Sequence, residues 1–417
     1  MNNQELFKLA LGLEDPWQIA QIEFTGEEKI LHLTLDFPEG SQFPCPECGE
    51  LCGVHDTKKR TWRHLNFFQY ETYLHARQPR VKCSDHKVKT VTLPWSRPGA
   101  GFTLLFEALV MALAENGMTP NAIARVVGEH DTLIWRVVTH YVIEARERED
   151  YSEVKAVGMD ETSKAKGHNY VSVFMDLDDR RVMFATDGKD AKTVEAFKED
   201  FEAHHGEADQ IEEFCLDMSK AFQSGIEANF PEAHLTFDEY HLMKIINKAV
   251  DDVRKEETIL YPDLLKGTKY LWLTNEWNRT KKQEKKQAEI FQDLRGSKLK
   301  TVKAYHLRSV FQDVFSFEDP AEGESLLKRW YFWATHSRIE PMIRAAKTIK
   351  KHWDGVVRWF TSRINNGLLE GMNSLIQAAK ARARGYRNVK NLITTIYLIG
   401  AKLDFQLPEV LPATHTK

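Results

Sequence analysis

The sequence predicts an α/β chain of several domains, and three observations carry that reading. Cysteines crowd the start of the chain, at positions 45, 48, 52 and 83, with Cys215 the only other. Apolar, β-branched segments that read as strands recur between residues 151 and 240. From residue 257 to about 360 the pattern is helical throughout, rich in Trp, Lys and Glu.

A length of 417 residues suits two to four domains, and 42% apolar residues with 11% aromatics are enough to bury their cores. Residues 1 to about 40 read as a short helix followed by alternating strand, with "KILHLTLDF" showing apolar residues at every second position. Short strands and turns follow from Pro44 to about Trp95, and "RPGAG" at 97–101 is a linker signal. Helical patterns cover 102–115, 119–127 and 132–146. Strands then come in "VKAVGMDET", in "NYVSVFMDLDDRRVMFATD" with "DLDDRR" as a hairpin turn, and in "IEEFCLDMS". Helices are predicted at 191–205, 219–229 and 239–256, with the strand "AHLTFDEY" between the last two, and again at about 366–381 and 389–403. The expected domains are therefore 1–96, 97–150, 151–256, 257–360 and 361–417.

The net charge of −4 points to no acidic or basic partner, but the average conceals an uneven distribution. From Pro341 to Lys402 there are twelve Lys or Arg against two acids, Asp354 and Glu370. Arg279 to Lys303 is a second basic stretch. No apolar run approaches the ~18–20 residues that cross a bilayer, and the N-terminus has no signal-peptide pattern. The expectation is a soluble cytoplasmic protein with no membrane partner. An odd, lopsided cysteine set fits metal binding in a reducing compartment better than disulfides.

Cys45-Pro-Glu-Cys48 and Cys83-Ser-Asp-His86 are two ligand pairs on tight turns, able to close a tetrahedron around a structural zinc. Cys52, His55 and His64 are substitutes that spacing does not exclude. Iron in so cysteine-rich a site is not excluded either. Four ligands leave no open position for catalysis by that metal.

In "NGMTPNAIARVVGEHDTLIWRVVTHYV" Thr119-Pro120 starts one helix, Gly128 ends it, and Asp131 or Thr132 starts the next. Ile123, Val126 and Val127 are expected to face Ile134, Val137 and Val138, which is helix-turn-helix geometry. Arg125 and Arg136 are the candidate DNA contacts of this pair. Plain helical bundles contain the same hairpin.

Asp160 and Asp217 each end an apolar strand pattern, where acids can converge at the edge of an open sheet. With Glu370 they would make a three-carboxylate site suited to Mg²⁺ or Mn²⁺. Two such ions about 3.5–4 Å apart can activate an attacking oxygen and stabilise a leaving one in phosphodiester cleavage. Asn373 or Ser374, Gln377 and Lys380 follow Glu370 on one helical face and are expected to point at DNA, with Arg382, Arg384 and Arg387 beyond them. Asp176, Asp178, Asp187 and Asp238 are strand-end acids too, and Glu370 also suits the first turn of a helix through the helix dipole.

The segments "CPEC", "RTWRHL", "PRVKC", "VGMDETS", "LDMSKAF", "FDEYHLMKIIN" and "NNGLLEGMNSLIQAAKARARGYRN" occur in the order found in the bacterial DDE insertion-sequence transposases of the ISL-three type, which the chain resembles from residue 45 to about 400. The resemblance implies an RNase H-like core with its triad on Asp160, Asp217 and Glu370, Asp160 bridging two ions. It also implies an all-helical insertion at about 245–360 before the Glu helix. His86 departs from the second Cys-x2-Cys pair that relatives often carry. Asp238 and His241 are expected beside the active site without an assigned role. The implied activity is metal-dependent cleavage and strand transfer at the terminal inverted repeats of the element and at target DNA, by a homodimer or larger assembly. A DNA-binding regulator that kept the fold, and a nuclease or resolvase on the same core, are the alternatives.

Overall fold

The structure is a computed structural model describing residues 2–165, 169–293, 298–364 and 367–410. It divides into two compact units, one holding Met1–Ala145 with residues 404–410 and the other Arg146–Leu403. No helix among the described residues is long and apolar enough to cross a membrane.

The first unit opens with helix α1 (Asn3–Ala10), strand β1 (Gln18–Thr25) and strand β2 (Ile30–Asp36). Leu31, Leu33 and Leu35 alternate inward in β2, as the period-2 pattern requires. β3 (Gln42–Pro44), the long hairpin of β4 (Leu51–Phe67) and β5 (Tyr70–Cys83), and β6 (Lys87–Thr90) complete a six-stranded sheet. Trp17, Trp62 and Trp95 pack edge to face beneath it.

Helices α2 (Leu104–Glu115), α3 (Pro120–Val127) and α4 (Asp131–Arg146) follow. Thr119 caps α3 by accepting from the Ala122 N–H, and Gly128 ends it in the left-handed conformation (φ 76°). Ile123 and Val127 are buried, as are Ile134, Val137 and Val138 of α4. Val126 is not, being 63% exposed. One residue along a helix turns the side chain by about 100°, so Val126 leaves the stripe that Ile123 and Val127 form.

In the second unit, β7 (Ala156–Ala165), β8 (Asn169–Asp176) and β9 (Arg181–Asp187) form an antiparallel meander, with the expected turn between β8 and β9. After α5 (Ala191–Ala203), β10 (Glu213–Leu216) joins the free side of β7 in parallel. After α6 (Lys220–Asn229), β11 (His234–Phe237) joins β10 in parallel. The order β9-β8-β7-β10-β11 is an RNase H-like sheet interrupted by helices. Each parallel crossover runs through a helix, as that connection demands.

The long α7 (Glu239–Leu260) leads into a helical block: α8 (Pro262–Leu265), α9 (Lys269–Leu273), α10 (Lys281–Gln292), α11 (Lys300–Asp313), α12 (Pro320–Thr335), α13 (Glu340–Lys351) and α14 (Trp353–Ser362). One buried carboxylate in the block joins two of its helices. The Glu257 carboxylate accepts from the Lys300 and Thr301 N–H groups at 2.8 and 2.7 Å and so caps α11, whose Leu299 has no capping side chain. The chain then returns to the sheet. α15 (Gly367–Arg382) lies against β7 and α16 (Val389–Gly400) against β9, where the Tyr397 hydroxyl accepts from the Ala185 N–H at 2.9 Å. Positions 365–366, at the start of the helix predicted at 366–381, include residues outside those described.

Candidate active site and metal centre

Strand register places the acids. β10 pairs with β7 at Glu213–Ala156, Phe214–Val157 and Cys215–Gly158. It pairs with β11 at positions that end at Leu216–Phe237. Carried past the last bonded pairs, the same register sets Asp160, Asp217 and Asp238 side by side, and residues level on adjacent strands point to the same face. Asp217 and Asp238 lie where their strands give way to α6 and α7, at the carboxyl edge where open sheets place ligands. Asp160 does not end its strand, contrary to the sequence reading, because β7 continues to Ala165 along β8. It sits where β10 stops and leaves that side of β7 open.

The fourth acid comes from α15. Leu369, Met372 and Ile376 are the buried stripe of that helix. A Cβ on Gly158 would lie 2.4 Å from Leu369 Cδ1 and 2.7 Å from Leu177 Cδ2, so glycine is what lets helix and strand meet, two residues from Asp160. Along the next stripe, Asn373 Nδ2 donates to Asp160 Oδ2 at 2.7 Å. Gln377 Nε2 donates to Thr162 Oγ1 at 2.7 Å and to the Ser163 carbonyl at 3.0 Å, and Lys380 Nζ donates to the same carbonyl. The stripe expected to face DNA thus lies along β7, since a helix face spaced to follow one extended backbone fits another. Arg382, Arg384 and Arg387, beyond the last contact with β7, are exposed, as are Arg125 on α3 and Arg136 on α4.

The carboxylates feel one another. Burial raises the Asp160 carboxyl above its usual range, against the Glu161 N–H that bonds it and the nearby His241, while Asp217 and Asp238 raise it further. Glu370 is raised likewise by burial, then by Asp238 and Asp160, against His241 and Lys244. His241, one turn into α7, lies with Nδ1 3.5 Å from Asp238 Oδ2 and is raised above its usual range by that partner. Glu370 Oε1 is buried without a hydrogen-bond partner. Among the described residues no three of these acids bring donor oxygens within 4.8 Å of one another. Carboxyls raised first by burial and then by one another, with the unpartnered Glu370 Oε1 beside them, are donors of the chemical kind that Mg²⁺ or Mn²⁺ takes.

The cysteine-rich centre is closed. Cys45, Cys48, Cys83 and His86 offer donor atoms all within 4.8 Å of one another. Cys48 Sγ lies 3.7 Å from Cys83 Sγ, and His86 Nδ1 lies 3.6 Å from Cys83 Sγ and 3.9 Å from Cys45 Sγ. Zinc bonds of about 2.3 Å to sulfur and 2.0–2.1 Å to nitrogen would give tetrahedral edges of about 3.8 and 3.5 Å. Both ligand pairs sit on turns: the Gly49 N–H bonds the Cys45 carbonyl at 2.9 Å, and Cys83 pairs with Lys87 across the β5–β6 turn. The N–H groups of Asp85 and His86, with the His86 ring, pull the Cys83 thiol down to about 6, which favours the thiolate a metal needs. Of the substitutes, His64 bonds Thr103 Oγ1 at 2.8 Å and is pushed down to about 4 by burial, away from the cluster. Cys52 groups with Glu50 and Cys83, outside the quartet.

Sequence reasoning missed Gly158 and the use of Asn373. A glycine inside an apolar strand is a signal for close approach, so the first was legible. The second was not, because nothing in the sequence pairs residues 213 positions apart.

Comparison with known proteins finds three matching parts along the chain. A family described as transposase matches residues 157–396. A zinc-finger of transposase IS204/IS1001/IS1096/IS1165 matches 41–86, and the helix-turn-helix domain of transposase family ISL3 matches 91–142. The transposase for insertion sequence element IS1557 of Mycobacterium tuberculosis is 26% identical over 433 residues, covering 95% of this chain and 96% of its own. The transposase for insertion sequence element IS1001 of Bordetella parapertussis is 28% identical over 364 residues, covering 84% and 87%.

Proposed function

The chain belongs to the ISL3 family of insertion-sequence transposases and is a DNA-binding, DDE-type enzyme; from that premise we propose that Asp160, Asp217 and Glu370 are its catalytic carboxylates, acting on the terminal inverted repeats of its element. The row of acids across β7, β10 and β11, closed by α15, carries this reading.

Mg²⁺ or Mn²⁺ held by these three carboxylates would supply activation of the attacking oxygen and stabilisation of the leaving one. The chain's own residues prepare the site. Asn373 fixes one oxygen of Asp160 and the Glu161 N–H fixes the other. Gly158 sets the depth of α15 and hence the reach of Glu370. In the first step water attacks the phosphodiester at the element end; the P–O3′ bond breaks and leaves a 3′-OH and a 5′-phosphate. In the second that 3′-OH attacks a phosphodiester of the target, and the displaced 3′-OH leaves.

End recognition falls to the zinc module and to α4 with Arg136, aided by Arg125. Arg382, Arg384 and Arg387 contribute phosphate contacts; Asn373, Gln377 and Lys380 reach the DNA through the strand they hold. Two ends must be held together, so a homodimer or larger assembly is the working form.

Cleavage and strand transfer on DNA carrying the element's ends, with Mg²⁺ or Mn²⁺, tests the proposal. Wild type is expected to cut, and Glu370→Gln to bind the ends without cutting. If both cut equally, the triad is wrong; if neither cuts and both bind, the chain is a DNA-binding regulator.

A further inference from the structure

α12 is amphipathic in an unusual sense. Its buried stripe is Leu327, Trp330 and Ala334, anchored where Trp330 Nε1 donates to the Leu307 carbonyl of α11 at 2.8 Å. The faces beside and opposite that stripe also carry large rings. Phe332 is 57% exposed and Trp333 43% exposed, an arrangement that core packing does not explain and that water disfavours. His336 completes the group: its Nδ1 donates to the Phe332 carbonyl at 2.8 Å, and its ring stacks on Phe332 with centroids 4.1 Å apart.

These rings wall a groove of ≈ 380 Å³ against α11, whose contribution includes Lys303 and His306. Lys303 Nζ is steadied at the groove by the Ser337 carbonyl at 2.8 Å. No carboxylate lines the groove among the described residues. The solvent stripe of α11 continues the positive charge to exposed Lys300, and Arg329 is exposed one turn before Phe332.

We propose that this groove binds single-stranded DNA, an unstacked base lying against Trp333 and Phe332 while its phosphates follow Lys300, Lys303 and Arg329. Flat exposed rings beside cations, with no acid among them, are complementary to a base face and a phosphate together, which is how sequence-tolerant single-strand sites are built. A duplex hides its base faces, so the ligand is an unpaired strand or a locally opened one. The inference rests on the reading of the chain as a DNA-processing enzyme, since unpaired bases at cut or opened ends are what such a groove would hold.

The test uses the full-length protein and a fluorescently labelled oligothymidylate of about fifteen nucleotides, a length within the range such grooves track, in buffer without added Mg²⁺ or Mn²⁺. Anisotropy titrations are run beside a duplex of the same length. Trp333→Ala is expected to weaken oligothymidylate binding about tenfold, the order of one lost base–aromatic stack, with duplex binding unchanged and Trp333→Phe close to wild type. Circular dichroism establishes that the variants are folded, and Phe332→Ala serves in place of any that is not. Unchanged oligothymidylate affinity in Trp333→Ala would overturn the proposal. So would an equal loss on duplex, or a loss of self-association in sedimentation without a loss of DNA binding, which would make the face a contact between copies. The oligonucleotide carries no element end and no Mg²⁺ or Mn²⁺ is added, so this result stands apart from the cleavage assay: a failed triad leaves it intact, and a failed groove leaves the triad intact.

Discussion

Asn373 donates a 2.7 Å hydrogen bond to Asp160, tying the helix that carries Glu370 to the strand that carries the first acid. An amide that orients a metal-binding carboxylate typically matters by 10- to 100-fold. Asn373→Ala is therefore expected to lower the cleavage rate by about that factor at saturating DNA while end binding stays unchanged. Rates measured across a Mg²⁺ titration would show the loss as a weaker metal requirement curve, shifted to higher concentration. A loss confined to DNA affinity would place Asn373 on the substrate instead.

Gly158 makes a second, steric prediction. A methyl group there cannot coexist with Leu369 Cδ1 at 2.4 Å, so Gly158→Ala must displace α15 or reorder its packing. Overpacking of this kind costs about 1–3 kcal/mol, readable in chemical denaturation. Cleavage should fall more than stability does, because the displaced residue next to Leu369 is Glu370. Leu369→Ala in the Gly158→Ala background should restore part of the activity.

The crowding of acids implies that the site is built at the expense of stability. Burial and its acidic neighbours raise Asp160, so the folded state binds its proton more tightly than the unfolded chain does. The folded state is then favoured as pH falls below the raised value and penalised as pH rises through it. Asp160→Asn removes that penalty, and the Asn373 amide, whose Oδ1 has no partner now, can turn to accept from the new amide. The variant is expected to gain about 1 kcal/mol without added Mg²⁺ or Mn²⁺ at pH 8, as active-site neutralisations commonly do, and to lose the gain toward pH 4. Thermal melts at the two pH values measure it; an equal gain at both would sink the electrostatic account.

The zinc centre predicts a different kind of loss. Cys83 lies 3.6–3.7 Å from two of its fellow ligands and is buried. Cys83→Ser is expected to release one equivalent of zinc and to abolish specific end binding, while the helical far-ultraviolet signal of the catalytic unit persists. Metal content by atomic emission, read beside circular dichroism, decides it; a retained zinc equivalent would mean that Cys52 or a water takes the vacant place.

Much of the architecture was legible because it is local. Period-2 leucines gave β2, Thr119-Pro120 and Gly128 bounded α3, and two ligand pairs on turns gave the zinc quartet. Val126 was misplaced because its i+3 spacing from Ile123 suits one helical face, yet the buried stripe runs through Ile123 and Val127 and leaves Val126 about 100° from the latter. The row of acids was half legible: apolar strands ending in acids pointed to Asp160 and Asp217, but four other acids had the same local form. Register levels Asp160 with Asp217 and also with Asp238, one of those four, and leaves Asp176, Asp178 and Asp187 elsewhere. Asn373, Gln377 and Lys380 had the right spacing and an unforeseen partner, because a sequence shows that a face is polar but not what lies opposite.

The bond between Asn373 and Asp160 spans 213 residues, and that distance sets an order of events at the ribosome. The zinc module and the helix-turn-helix emerge first, the sheet with two of its acids next, and the helical block after them. α15 comes almost last and must find a strand made long before, a late closure of the kind that folds slowly. Until it does, the nascent chain has its helix-turn-helix but not the helix that carries Glu370. On the proposed triad, a copy of the gene interrupted anywhere in the helical block is expected to make a product arrested at that stage, one that binds DNA without cutting it and so competes with its complete siblings.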